Sequence, residues 1–272
     1  MNILVFGASG YAGSEIKRKL EEDFSDVFGT YHSSPASAEE AAFMLFHSLD
    51  DHEGLYKILR QIDPQIIIYC LRGDFEKQLE ATRIMTEFLK GKENGKMIFL
   101  STANVFDGAL EEAHFENDPP RAKSEYGRFK IQSEELITSA LGENGVVIRI
   151  PEVYGKECPR LQKLRSAALE NRKVSSFGNV FVNYTTNRQI AEWIAYIIQN
   201  HLTGIFHIGT KDMREYIVFQ KELLTELGLE PPDFEVTEMP SPLIQAVLPG
   251  REDIPQSMQI CVKDVIRLMA EK

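Results

Sequence analysis

Within its first 24 residues the chain runs from an apolar strand through a glycine-spaced turn into a charged helix: "NILVFG" (2–7), "GASGYAG" (7–13) and "SEIKRKLEEDF" (14–24). No other feature constrains the fold as much. Gly7, Gly10 and Gly13 follow a G-x-x-G-x-x-G spacing. Glycine at such a turn adopts backbone angles closed to other residues, and the missing side chain lets a diphosphate approach the backbone. The helix that follows offers free N–H groups and a partial positive charge to an anion. On the triplet alone, a turn that is tight merely for packing remains the alternative.

The rest of the chain repeats the pattern of short apolar runs between helical stretches. Strands are expected at "DVFGTYH" (26–32), "PQIIIYC" (64–70), "KMIFLST" (96–102) and "GVVIRI" (145–150). Helices are expected at 53–62, at 77–91 with Gly91 as C-cap, and from Tyr126 to about Leu141. Apolar strands alternating with helices predict an α/β fold, a Rossmann-type doubly wound parallel sheet. After Ile150 the spacing predicts helices near 159–171, 187–200, 216–227 and 262–270. Residues 172–186 read as irregular, 204–209 as a strand, and "EPPDFEV…MPSP" (230–242) as a proline-rich segment. The expected domains are a dinucleotide-binding domain over 1–152 and a smaller C-terminal substrate lobe over 153–272. "TGIFHIG" (203–209) is expected to return to the main sheet.

Composition excludes several functions. A formal net charge of −11 over 272 residues argues against nucleic acid or anionic membranes as partners. The longest nearly apolar run, "IIIYCL" (66–71), is too short to cross a bilayer. The opening residues carry neither a basic n-region nor an export h-region, and Cys70, Cys158 and Cys261 are scattered. These features predict a cytoplasmic protein with reduced thiols. The six histidines form no metal-like cluster, so no metal is expected.

For an NAD site an acid is usual at the end of the second strand, to hold the ribose hydroxyls. Here that position falls in "TYHSS" (30–34), which has none. His32, Ser33 and Ser34 would accommodate a 2′-phosphate, so NADP is favoured and NAD stays open. Asp50, in "HSLDD", reads either as an adenine contact or as a helix-start acid.

The stretch "SEYGRFK" (124–130) sets Tyr126 four residues before Lys130, on one helical face. Alone, the pair is equally an ordinary helix surface. Four motifs in order change its weight: "GASGYAG", "STANVFDG" (101–108), "YGRFKIQSE" (126–134) and "IRIPEVYG" (148–155). With them the chain resembles the extended short-chain dehydrogenase/reductase family, above all its dTDP-4-dehydrorhamnose reductase branch. The resemblance implies catalysis by Thr102, Tyr126 and Lys130, with Ser101 the alternative to Thr102. Ketone reduction needs a hydride from a nicotinamide and a proton delivered to the oxygen. A nearby ammonium would make a tyrosine acidic enough to supply that proton.

The resemblance also implies cofactor contacts at Gly7, Ser9, Gly10, Tyr11, Ala12, Gly13, His32, Ser33, Asp50, Cys70, Leu71, Tyr126, Lys130 and Pro151. Substrate contacts are implied at Asn104, Glu152, Arg160 and Arg165. The stretch 156–173 also carries Lys156, Arg160, Lys163, Arg165, Arg172 and Lys173 against Glu157 and Glu170. That excess suits an anionic ligand or a solvated helix face.

Three departures from the branch stand out. Ala103 and Asn104 follow the threonine where Asp-Tyr is typical, Glu152 replaces a tryptophan, and "CLRGD" (70–74) replaces a longer acidic motif. The implied function is NADPH-dependent reduction of a keto group on a nucleotide-linked deoxysugar; the oligomeric state stays open, a homodimer being one assembly in view. A sugar-nucleotide epimerase and a non-catalytic dinucleotide-binding regulatory subunit are the alternatives.

Overall fold

The computed structural model describes residues 1–33 and 43–271. In chain order the first elements are β1 (Ile3–Phe6), α1 (Tyr11–Asp23), β2 (Val27–Tyr31), β3 (Met44–Phe46), α2 (His52–Ile62) and β4 (Ile66–Tyr69). They are followed by α3 (Phe75–Lys90), β5 (Lys96–Thr102), α4 (Glu125–Leu141), β6 (Gly145–Ile150), β7 (Glu152–Tyr154) and α5 (Pro159–Leu169). The chain continues through β8 (Val174–Val182), β9 (Tyr184–Thr186), α6 (Asn187–Gln199) and β10 (Ile205–His207). It closes with β11 (Arg214–Glu215), α7 (Tyr216–Glu226), β12 (Phe234–Gln245) and α8 (Val262–Ala270). Among the described residues no helix is long and apolar enough to cross a membrane.

The chain divides into two compact units. The first comprises Met1–Thr102, Glu125–Ile148 and Ile190–Phe206; the second comprises Ala103–Ser124, Arg149–Gln189 and His207–Lys272. The principal sheet has seven strands in the order β10-β6-β5-β4-β1-β2-β3. From β3 to β5 every pair runs parallel. Strand order reverses between β1 and β4, and at such a switch point the carboxyl ends of the strands open a crevice for ligands. These strands are apolar throughout because helices cover both faces. Phe6, Tyr69 and Phe99 stack across β1, β4 and β5, with ring centroids 5.6 and 5.7 Å apart.

The second unit contains a three-stranded sheet, β11-β8-β12, and the short pair β7-β9. It corrects one expectation: residues 172–186 are not irregular, because β8 and β9 occupy most of them. The proline-rich segment supplies most of the twelve-residue strand β12. Its register shifts between Glu238 and Leu243, and that interruption accommodates Pro240 and Pro242. Gly91 does cap α3, in right-handed geometry (φ −74°, ψ −1°).

Candidate functional site

The glycine turn is held by contacts that only glycine permits. Gly7 has φ +99°, and a Cβ there would lie 3.0 Å from the Leu71 side chain and 3.2 Å from the Cys70 carbonyl. A Cβ on Gly13 would overlap the carbonyl oxygen of Gly7. Gly10 N donates to Gly7 O at 3.0 Å and closes the turn. Thr30, buried on β2, accepts the Gly7 N–H on its hydroxyl at 2.9 Å. Gly10 then opens α1 with no side-chain cap and no acid in the first turn. Ser9 and Gly10 are exposed, and Tyr11 and Ala12 are half-buried. A side-chain-free cradle facing an uncapped helix N-terminus fits the diphosphate of a dinucleotide.

Beyond β2, His32 and Ser33 are exposed, and the His32 ring stacks with Phe46 at 6.1 Å. Ser34 lies outside the described residues. Asp50 is ion-paired with Lys77 of α3, while the helix-start role belongs to Asp51, which accepts Gly54 N at 2.8 Å. Past β4, the Cys70 thiol contacts Phe6 O at 3.3 Å, and burial pushes its pKa up to about 12. It is a neutral wall of the crevice.

At the carboxyl end of β5 the expected reacting groups meet. The Thr102 and Tyr126 side chains are hydrogen-bonded to each other. Ser101 instead donates its hydroxyl to Glu134 inside the unit. The Tyr126 residue is 38% exposed, with its ring 5.9 Å from that of Phe75. Partial burial raises the phenol pKa, against which the charge of Arg72 and the bond to Thr102 pull down. Lys130 lies one turn on, 5% exposed, its ammonium donating to Leu100 O at 2.8 Å. The same ammonium is 4.4 Å from the Phe99 ring centroid and 5.8 Å from that of Tyr126. Burial lowers its pKa to about 7, against a smaller upward pull from Glu134.

The remaining expected residues belong to the second unit. Asn104 sits in a short 3-10 turn, Ala103–Phe106, and Pro151 packs near Gly209. Glu152 opens β7 and ion-pairs with Arg160 on α5, so two residues expected at the substrate are bonded to one another. Burial raises the Glu152 pKa and the Arg160 charge opposes it. Arg165 is half-buried, and among the described residues no carboxylate pairs with it. Sequence reasoning missed Thr30, which shapes the glycine turn, and Arg72, whose charge reaches both Tyr126 and Lys130. Nothing in local spacing marks either; both act through tertiary packing.

A family model described as the RmlD substrate binding domain matches residues 76–260. The probable low-salt glycan biosynthesis reductase of Haloferax volcanii is 29% identical over 169 residues, covering 57% of this chain. That match spans 54% of the Haloferax protein, about half its length. The spore coat polysaccharide biosynthesis protein SpsK of Bacillus subtilis is 25% identical over 250 residues, 86% of this chain and 82% of SpsK. Among solved structures, dTDP-4-dehydrorhamnose reductase from Bacillus anthracis in complex with NADP superposes with a TM-score of 0.80. That match covers 98% of each chain at 17% identity, and it establishes a shared fold.

Proposed function

The chain belongs to the RmlD substrate binding domain family, and on that premise we propose that it uses NADPH to reduce the 4-keto group of a nucleotide-linked deoxysugar. The hydrogen bond between the Tyr126 phenol and the Thr102 hydroxyl, at the end of β5, carries the proposal. A keto oxygen received by both groups would be polarised by Thr102 and protonated by Tyr126. Lys130 stands behind the phenol and is assigned the cofactor's ribose as well as tuning of Tyr126.

The turn from Gly7 to Gly13 and the start of α1 would hold the diphosphate, with Cys70 and Leu71 closing one side. NADPH, when bound, supplies the hydride. The absence of an acid at the end of β2, where His32 and Ser33 are exposed, supports NADP over NAD. The reductase from Bacillus anthracis, solved with NADP, gives further support. Arg165 is assigned to the substrate's diphosphate and Asn104 and Glu152 to its sugar. The protein is placed in the cytoplasm as a homodimer, which cell fractionation and sedimentation would test.

The test mixes the protein with NADPH and a panel of 4-keto nucleotide sugars and follows nicotinamide absorbance. Tyr126→Phe is expected to keep NADPH affinity and lose about 10²–10⁴-fold in turnover, because only the proton donor is removed. A variant as fast as the parent would overturn the role of Tyr126. A protein that binds NADPH and oxidises it with no member of the panel would instead be a regulatory subunit.

A further inference from the structure

Three successive residues of the glycine turn, Gly7, Ala8 and Ser9, are received by two residues of β2, Gly29 and Thr30. The Thr30 hydroxyl accepts the Gly7 N–H at 2.9 Å, and the Thr30 carbonyl accepts the Ser9 N–H at 3.3 Å. Between those two bonds the buried Ala8 side chain takes the space that Gly29 leaves. A Cβ on Gly29 would lie 2.5 Å from the Ala8 Cβ and 2.5 Å from the Met44 sulfur. Thr30 is itself buried. The turn is thus seated on β2 by three contacts, one to each of these residues.

The seat decides where α1 begins. Gly10 N donates to Gly7 O at 3.0 Å, and Ser14 N then donates to Gly10 O at 2.9 Å as the helix starts. The N–H groups of Gly7, Ser9 and Gly10 are therefore spent inside the protein, and an incoming anion is met by the first turn of α1. The aim of that turn follows from how the residues before it are held. Gly7, at φ +99°, has no side chain to hold it, and glycine is the residue with most conformational freedom to lose. Without the Thr30 hydroxyl a buried N–H would lack an acceptor, and the turn would shift to find one.

We propose that Thr30 is a positioning residue for the dinucleotide: the Gly29–Thr30 step of β2 holds the glycine turn, and with it the start of α1, in diphosphate-binding geometry before the cofactor arrives. This rests on the glycine turn being the diphosphate site. A turn ordered in advance spares the ligand the cost of ordering it. The brace serves the part that NADPH and NADH share. The 2′-phosphate falls instead to His32 and Ser33, exposed past the end of β2.

The test needs no sugar. NADPH and NADH are titrated separately, by nicotinamide fluorescence, into the parent, Thr30→Val and Thr30→Ser, with thermal unfolding recorded for each. Thr30→Val keeps the shape and removes the acceptor; Thr30→Ala serves if it does not fold. The acceptor-less variant is expected to bind both dinucleotides about tenfold more weakly, the worth of one hydrogen bond, with their ratio unchanged. Thr30→Ser, which keeps the hydroxyl, is expected to recover most of the affinity. A folded variant that melts earlier yet binds both dinucleotides as the parent does would make Thr30 a scaffold residue only and overturn the proposal. A loss confined to NADPH would move Thr30 to the 2′-phosphate and overturn it as well. A parent that binds neither dinucleotide would instead remove the cofactor reading, and this role with it.

Discussion

Lys130 in the first unit and Glu116 in the second are buried in opposite ways. In the first, Lys130 is enclosed by three aromatic rings with a single carbonyl to receive its protons, and the phenol beside it is partly open. In the second, the buried carboxylate of Glu116 and the half-buried one of Glu152 both have partners. Glu116 accepts the backbone N–H groups of His207 and Gly250, at distances from 3.0 to 3.2 Å, and Glu152 is tied to Arg160. Arg149, 1% exposed, lies 5.0 Å from the Phe106 ring centroid. An enclosed ammonium with so little compensation is costly, and folds retain such a group where chemistry needs a poised proton. A matched charge holds a scaffold together. Lys130 is poised to change state, whereas Glu116 and Glu152 are held by fixed partners.

The sharpest way to break this contrast is Lys130→Met. The Lys130 midpoint falls from 10.5 unfolded to about 7 folded. Between those values the unfolded chain binds the extra proton, so this residue makes stability rise with pH from 7 to 10.5. Its cost is full below pH 7 and gone above 10.5. Lys130→Met should therefore be inactive yet more stable by a few kcal/mol at pH 6, with the gain shrinking toward pH 10. Denaturant unfolding at several pH values measures it. A destabilised variant at pH 6 would mean the ammonium is held by partners as the second unit's charges are.

That contrast was only half legible in the sequence. The strands of the first unit are buried on both faces, so runs such as "NILVFG" and "QIIIYC" announce themselves, and the glycine spacing marks the turn between β1 and α1. Strand β8 has no such run: its burial alternates irregularly, and Asn179 interrupts it at φ +43°. Strand β12 is largely exposed and carries two prolines at its register shift. Tyr126, Thr102 and Lys130 were readable by resemblance, since they lie in motifs. Arg72 and Glu134 were not, because a neighbour's charge or hydroxyl is a fact of packing between separate elements. The pair between Glu152 and Arg160 likewise joins β7 to α5, eight residues apart, with no periodicity to suggest it.

In the second unit Glu116→Ala tests the scaffold role. It strands the N–H groups of His207 and Gly250 in a buried setting. The expected loss is about 2–3 kcal/mol at neutral pH, with NADPH affinity intact in the folded protein. Thermal unfolding and a dinucleotide titration measure the two effects. A neutral outcome would mean that water or a side-chain shift satisfies those donors, and that Glu116 is no keystone.

The smallest expected effect comes from the basic stretch of α5, and it sharpens the contrast within the second unit itself. Arg160 is paired with Glu152, and both ends are open to solvent, the guanidinium 54% exposed and the carboxylate 29%. Such a pair is worth no more than about 1 kcal/mol, and its cation is already neutralised toward any incoming diphosphate. Arg165 carries no carboxylate partner among the described residues. Arg165→Ala is thus expected to weaken nucleoside diphosphate binding several-fold, Arg160→Ala by less, and neither to change NADPH affinity. Glu152→Gln sets the sign of the argument: releasing Arg160 should strengthen binding of the diphosphate. Calorimetric titration with a nucleoside diphosphate, which lacks the sugar assigned to Glu152, ranks all three. Equal losses from Arg160→Ala and Arg165→Ala, with no gain in Glu152→Gln, would show that the ion pair leaves Arg160 as free to bind anions as its neighbour.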